Sequence, residues 1–593
     1  MSCKPSIYSG VAALLCCFSL LGCGGGGNLE SMSSPPVIAT SSLPGGSVGT
    51  AYSATLSANG GTTPLNWSIA AGSLPAGLKL DGISGILSGT PTTPGKSAFT
   101  LLVSDSKALT ASVSLSIDIE GVVITTTSLP SGTIGAPYSA TMSLNGGMGP
   151  DTWILASGSL PAGLVLSSNG TISGTPTAAG AEAFTVQVMD SESTPATATG
   201  NFSIAVAPTP TFAVIHNFTG GTDGSYPNGG LTMDSSGNFY GVSAGGGDSE
   251  WGTVYELVPS NGSWTHAVLY SFASGNDGAG PTGPLTLGAD GSLYGTTSGG
   301  GGPGCRGAGC GTVFNLKMVA GKWTEMILHR FESTDGRFPG GAVIFDQAGN
   351  LYGTALSGYG IVYELTPSNG DWVENILYNF TGGEDGAMDS GTGVMFDKAG
   401  NLYGTTTFGG SGFAGVVYQL SPLGSGKWQQ TVLYSFQRGS GGDELQSGVI
   451  LDQAGNLYGT TSDGGNGGGG TAFKLTPGMG NWAYAVMHEF TGSFQGGPRA
   501  NLVMDTAGNL YGTIAAGGAY GNGTVFKLTP WSGGWTYTSL HDFTGGSDGA
   551  RPFSSVVLDG NGNLYGTTLD GGTGDGGTGY CSKGCGVVWE IIP

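Results

Sequence analysis

Charge is scarce in this 593-residue chain: Asp, Glu, Lys and Arg make up only 9% of it, against about 25% in ordinary soluble proteins. Basic residues are the scarcer kind, with 17 Lys and Arg against 39 acids and a net charge of −22. Binding to nucleic acid needs clustered cations to displace counterions from the phosphate backbone. No such cluster occurs, so nucleic acid is excluded as a partner. The acids are scattered, mostly in Asp-Gly and Asp-x-x-Gly turns, which implies a solvated surface. The apolar run Val11 to Leu21 is too short to cross a bilayer as a helix, which takes about 20 residues. Glycine, by contrast, is abundant, at 117 residues. Low-complexity disorder is nevertheless not expected, because 38% of the chain is hydrophobic and recurs in short runs between turn signals.

Residues 1–22 have the form of a signal peptide, with Lys4 ahead of the apolar run. The run ends Leu20-Leu21-Gly22-Cys23 and is followed by Gly24 to Gly27. This quartet resembles the lipobox of bacterial lipoproteins. The resemblance implies lipidation of Cys23, each buried CH₂ contributing about 0.8 kcal/mol to the anchor. With Gly24 after the cysteine, it also implies the outer membrane or cell surface, with the membrane as a partner. Residues 23–34 are then a flexible Gly/Ser-rich linker. Cys305, Cys310, Cys581 and Cys585 form two close pairs in Gly-rich loops. Export favours disulfides, Cys305–Cys310 and Cys581–Cys585. Zinc is the rival, but neither pair has knuckle spacing and no His lies nearby.

Residues 35–120 and 121–207 carry one unit twice. Leu43-Pro44, Tyr52, Trp67, Leu74-Pro75-Ala76-Gly77-Leu78, Gly89-Thr90-Pro91 and Asp105 return as Leu129-Pro130, Tyr138, Trp153, Leu160-Pro161-Ala162-Gly163-Leu164, Gly174-Thr175-Pro176 and Asp190. Short alternating runs between turns predict two β-sandwiches. The strings resemble immunoglobulin-like modules of bacterial surface proteins, related to cadherin-like folds. That resemblance implies calcium as a possible ligand, with Asp105, Asp118, Glu120 and Asp190 the acids at hand. Calcium takes six to eight oxygens, and the alternative is that these carboxylates cap turns.

From residue 212 onward a Tyr-Gly pair recurs at Tyr240, Tyr294, Tyr352, Tyr403, Tyr458, Tyr511 and Tyr565. A repeat of this length indicates a solenoid or propeller, and each unit has four strand-like runs. The final unit stops after its third, Val587 to Ile592, while Phe212 to Phe218 matches a fourth. The expected fold class is therefore all-β: two immunoglobulin-like sandwiches, then a seven-bladed β-propeller over 212–593 closed by strand 212–218 pairing with the C-terminal blade. The strings GNLYGTT, GTVYELTP and W…VLYSFTGG.DG resemble the GloVer tandem repeat of bacterial exported proteins. The resemblance brings no defined reaction.

His216, His329, His488 and His541 occupy a slot two residues before the last Phe of the fourth strand, where other units have Tyr270, Tyr378 and Tyr434. A slot that takes either ring is a packing slot, so no catalytic residue and no confident metal ligand is assigned. The Asp-x-x-Gly-Asn turns at Asp234, Asp346, Asp397, Asp452, Asp505 and Asp559 have turn chemistry rather than calcium-loop spacing. Trp264, Trp323, Trp372, Trp428, Trp482 and Trp535 are expected to pack between blades.

The loops from strand two to three and from strand four to the next blade are long and varied, and in an antiparallel blade they share one end. They carry Trp251, Arg306, Arg337, Tyr359, Phe408, Phe413, Asp443, Glu444, Tyr520, Arg551 and Tyr580, which form the candidate binding face. The expected function is a lipid-anchored surface protein, not an enzyme, that binds a glycan, peptide or partner protein through this face. Two alternatives are an exported propeller enzyme acting on polysaccharide through acids such as Asp443 and Glu444, and a purely structural envelope protein.

Overall fold

The computed structural model describes residues 34–147, 149–191, 195–388, 392–439, 441–492, 496–574 and 581–593. Cys23 and the signal peptide lie outside the described residues, as does Tyr580. Among the described residues the chain is all-β, with one 3₁₀ turn at Cys305–Gly307, and no helix is long and apolar enough to cross a membrane. Contacts divide the chain into two compact units. One ends at Val123 and takes in Asn145–Pro150 and Asp190–Ala196; the other holds the remaining residues to Pro593.

The first unit is an immunoglobulin-like sandwich. One sheet has the order Gly46–Ser47, Thr110–Glu120, Gly95–Ser104, Asn66–Gly72; the other has Tyr52–Thr55, Ile86–Gly89, Leu78–Leu80. Alternation along Gly95–Ser104 sends Phe99, Leu101 and Val103 inward against Trp67, Leu87 and Ile117. The Tyr52 hydroxyl donates to the Pro44 carbonyl at 3.0 Å. Asp105 accepts from the backbone amides of Thr62, Lys107 and Leu109, so it caps a turn.

The second unit opens with the same sandwich, one sheet ordered Gly132–Thr133, Thr197–Ala207, Gly180–Met189, Thr152–Gly158 and the other Tyr138–Thr141, Thr171–Gly174, Leu164–Leu166. Its Tyr138 hydroxyl repeats the bond, to the Pro130 carbonyl at 3.0 Å.

Seven antiparallel sheets follow. The third shows the anatomy in sequence order: Arg337–Phe345, Leu351–Leu356, Ile361–Ser368, Asp371–Asn379. Its second strand is buried along almost its whole length, because both faces are covered by neighbouring sheets. Its fourth alternates between exposed and half-buried. The Asp346 carboxylate accepts from the Ala348 and Asn350 amides, the Asn350 side chain and the Tyr352 hydroxyl. Burial opposes its charge, but these donors hold the carboxyl below the usual carboxylate range. The glycine of each Tyr-Gly pair has a steric origin. A Cβ on Gly353 would stand 2.4 Å from the Tyr363 hydroxyl, and one on Gly404 2.4 Å from that of Tyr418.

The seventh sheet is built from both ends of the repeat region. Its order is Thr211–Asn217, Val587–Ile592, Leu564–Thr568, Val557–Leu558. The outer pair is antiparallel, Thr211 opposite Ile592 and Asn217 opposite Val587, one residue earlier than the 212–218 expected. Phe218 lies just past the strand, fully buried. Each sheet shares an apolar cluster with the next. Val242 and Phe272 of the first meet Leu293 and Phe314 of the second. At the last junction Tyr565 and Val588 of the seventh sheet meet Phe239 and Leu257 of the first. The tryptophans pack across these junctions: Trp264 lies 5.9 Å from Tyr565 and Trp535 6.1 Å from Tyr458, both edge-on.

Candidate functional site

The first strands and the segments that lead into them converge. One cavity of about 290 Å³ is lined by a segment from every sheet: Asn228–Leu231, Thr282–Pro284, Gly341–Ala342, Thr392–Met395, Gly448–Val449, Arg499–Asn501 and Phe553–Ser555. Glycines and small polar residues make up half of its wall, so backbone comes close to the space they enclose, and apolar side chains such as Leu231, Ile344, Val394 and Phe553 supply most of the rest. Neighbouring segments are tied sideways. The Gly448 amide donates to Asn501 Oδ1 at 2.7 Å, the Asn501 amide to Ser555 Oγ at 3.1 Å, and Thr405 Oγ1 to the Ser447 carbonyl at 2.7 Å. Held this way, the wall is preformed.

The variable loops surround the lead-in ends of these segments. Loops of the two long classes pair with each other, Ser225 with Gly245, Ala387 with Phe408, Asp443 with Asp463 and Ala550 with Asp570, as expected if they share one end of the sheets. Trp251, Tyr359, Phe413 and Tyr520 are 50, 56, 66 and 62% exposed, whereas Phe408 is half-buried. Arg306 sits in the short 3₁₀ turn beside the Cys305–Cys310 disulfide. Two residues expected in loops instead begin strands, Arg337 in Arg337–Phe345 and Phe413 in Phe413–Gly424. The ladder reaches further here because the neighbouring loops continue the pairing. Cys581 and Cys585 are joined as well.

Charge gathers on one arc, in sheets five to seven. Arg499 and Arg551 both lie over the Phe553 ring, 5.4 and 5.9 Å from its centre, and Arg551 is ion-paired to Asp570. Arg438 reaches Asp443 at 3.7 Å. Burial pushes the Asp443 carboxyl up against the pull of Arg438, and burial with the charges of Asp443 and Asp463 pushes up Glu444. Sequence reasoning did not find Arg499, Asn501 or Phe553. They belong to no repeated motif, and the only available signal was their place just before a first strand.

A second arrangement lies between fourth strands. The ring slot of one sheet faces, on the next sheet, the residue two places after its Trp or, on the strand Thr211–Asn217, which has no Trp, Phe212. His216 stacks on His266 at 4.1 Å, Tyr434 on Tyr484 at 4.6 Å, His488 on Tyr537 at 4.4 Å and His541 on Phe212 at 3.7 Å. The four slot histidines thus sit at four separate junctions; His488 and His541 pack on a neighbouring ring, and His216 meets the fifth histidine. Between sheets two and three the pattern changes. His329 Nε2 stands 3.5 Å from Asp335 Oδ2 and 3.7 Å from Glu374 Oε2. Burial and the charge of Asp335 push Glu374 up to about 8, and burial pushes His329 down against the pull of Asp335.

Comparison with known proteins agrees with the tandem organisation. The model of the Gloeobacter/Verrucomicrobia repeat matches residues 187–398 and 390–583, and that of the Putative Ig domain matches 35–120 and 121–207. No curated protein matches the chain. Solved structures similar to parts of it include protocadherin gamma B2 extracellular cadherin domains 3–6, at 18% identity over 29% of this chain and 51% of that one, TM-score 0.14. Another is the extracellular domain of a protein named as a hybrid two-component system of B. thetaiotaomicron, at 12% identity over 63% of this chain and 39% of that one, TM-score 0.40. The chain spans about half or less of the first solved structures it resembles.

Proposed function

Because the chain belongs to the Gloeobacter/Verrucomicrobia repeat family and carries two immunoglobulin-like modules, we propose that it is an exported binding protein whose seven sheets form a closed β-propeller. The pairing of Thr211–Asn217 with Val587–Ile592 and the apolar cluster between the seventh and first sheets support closure. One observation carries the binding reading: segments from all seven sheets line one cavity of mixed polar and apolar character, beside loops that expose Trp251, Tyr359, Phe413 and Tyr520. Aromatic anchors on a rigid frame, next to a preformed pocket of hydrogen-bonding groups, suit a glycan, a peptide or a protein surface. The immunoglobulin-like modules serve as a stalk, and Cys23 carries the lipid that holds the protein at the outer membrane or cell surface.

Glycan and peptide arrays probed with the purified soluble chain test this reading. Retention of one ligand class, lost on Arg499→Ala or Phe553→Ala with the fold intact, is the expected result. No retention on any array would leave a structural envelope role as the better account. Cys23→Ala is expected to move the protein out of the membrane fraction. The raised carboxyls of Asp443 and Glu444 favour one alternative, acid–base action on a polysaccharide. Hydrolysis abolished by Asp443→Asn would support it.

A further inference from the structure

We propose that His329, Asp335 and Glu374 form a binding site for a divalent transition-metal ion of the zinc type, set between the fourth strands of the second and third sheets. Three donor atoms, one from each residue, all lie within 4.8 Å of one another. Zinc bonds to imidazole nitrogen and carboxylate oxygen are about 2.0–2.2 Å, so tetrahedral ligands sit about 3.3–3.6 Å apart. The separations from His329 Nε2, 3.5 and 3.7 Å, need little adjustment. The Glu374 side chain is only 10% exposed, and its Oε1, like His329 Nε2, has no hydrogen-bond partner among the described residues. Leaving the buried Glu374 Oε1 unsatisfied is costly, and a cation that takes both carboxylate oxygens, Oε2 being the one 3.7 Å from His329 Nε2, supplies what is missing.

Each residue is already positioned. Asp335 Oδ1 accepts from the Glu332 amide at 2.7 Å, which orients the carboxylate and leaves Oδ2 toward the imidazole. His329 stands edge-on to Phe331 at 4.6 Å. A groove lined by His329, Arg330, Asp371 and Trp372 runs alongside and gives a path for the ion and for water in a fourth position.

The repeat supplies its own comparisons. At the junction of the third and fourth sheets the same slots hold Tyr378, Asp385 and Gln430, with the Tyr378 hydroxyl donating to Asp385 at 3.0 Å. At the junction of the sixth and seventh, His541 and Asp548 face Phe212, which offers no third donor. Imidazole and two carboxylates come together between sheets two and three. A nitrogen donor favours zinc and its neighbours over calcium and magnesium.

The test uses the full chain, with disulfides formed, free thiols alkylated and metal stripped by a chelator. Calorimetric titration with zinc chloride is expected to show one site per chain and a zinc-dependent rise in Tm. His329→Tyr and Glu374→Gln place in this junction the residues that the next junction carries, so both are expected to fold. Each should weaken zinc binding by well over about tenfold, the lower end of what loss of a mere outer-sphere partner costs. His541→Tyr should leave binding unchanged. No zinc uptake by the wild-type chain at millimolar zinc would overturn the proposal. So would binding unaffected by both His329→Tyr and Glu374→Gln, or calcium binding at this junction tighter than zinc.

Discussion

The imidazole of His266 lies flat on that of His216, ring centres 4.1 Å apart and planes 4° from parallel. Two protonated rings cannot share that space without repulsion. Burial first, and the charge of His216 second, push His266 from 6.5 down to about 4. The folded state therefore resists a proton that the unfolded chain takes up. The resulting stability is complete above pH 6.5 and is lost as pH falls toward 4. Thermal melts between pH 7 and 4 should show this loss, of about 1–3 kcal/mol. His266→Tyr, which copies the stacked pairs of Tyr434 with Tyr484 and His488 with Tyr537, should flatten that part of the profile.

Glu325 is expected to show the opposite dependence. Burial, then the charge of Asp277, pushes its carboxyl up from 4.5 to about 7, with Arg330 pulling the other way. The folded state keeps a proton that the unfolded chain releases, so stability falls as pH rises from 4.5 through 7. Glu325→Gln, with Gln430 as the precedent in the fourth sheet, should raise Tm by several degrees at pH 8 and change little at pH 4.5.

Gly404→Ala would place a methyl group 2.4 Å from the Tyr418 hydroxyl within a fully buried strand. Overpacking of this kind costs about 1–3 kcal/mol. Urea unfolding should show the loss as a lower midpoint. The pair Gly404→Ala and Tyr418→Leu should recover part of it, because the clash is with that ring.

Ala213 stands opposite Glu590 in the seventh sheet. Cysteines introduced at both positions are expected to crosslink under mild oxidation. Peptide mapping would then find the two ends of the repeat region in one disulfide-linked fragment. Monomeric protein with both thiols free after oxidation would argue against the pairing.

Trp251→Ala and Tyr520→Ala remove side chains that are at least half exposed. Each should leave Tm within about a degree of the parent, since surface changes rarely exceed ±0.5 kcal/mol. If the loop face binds as proposed, each should weaken retention of the captured glycan, peptide or protein. Retention unchanged by both would move the contact elsewhere.

Much of this architecture was legible because the repeat writes it several times over. Seven Tyr-Gly pairs, the Asp-x-x-Gly-Asn turns and the early strand Phe212–Phe218 gave strand order and pairing to within one residue. The turn role of Asp346 followed from local chemistry and is what the hydrogen bonds describe. The cavity was not legible. Gly341, Thr392 and Asn501 are ordinary residues until seven remote segments meet. The His329 group was missed for a different reason. Sequence comparison aligned His329 with Tyr378 along one slot, whereas its partner Glu374 aligns with His266 and Gln430 along another. Only the stacking of sheet on sheet brings those two columns face to face.

The shared seventh sheet also sets a timetable. A ribosome delivers Thr211–Asn217 hundreds of residues before Val587–Ile592. Until then the early strand lacks the neighbour its backbone requires, and an unpaired strand edge invites partners from other chains. A chain that stopped before Val587 would leave that vacancy permanent. Such a product would be marked for chaperones and proteases by two bare rows of amides and carbonyls, one on Thr211–Asn217 and one on Leu564–Thr568.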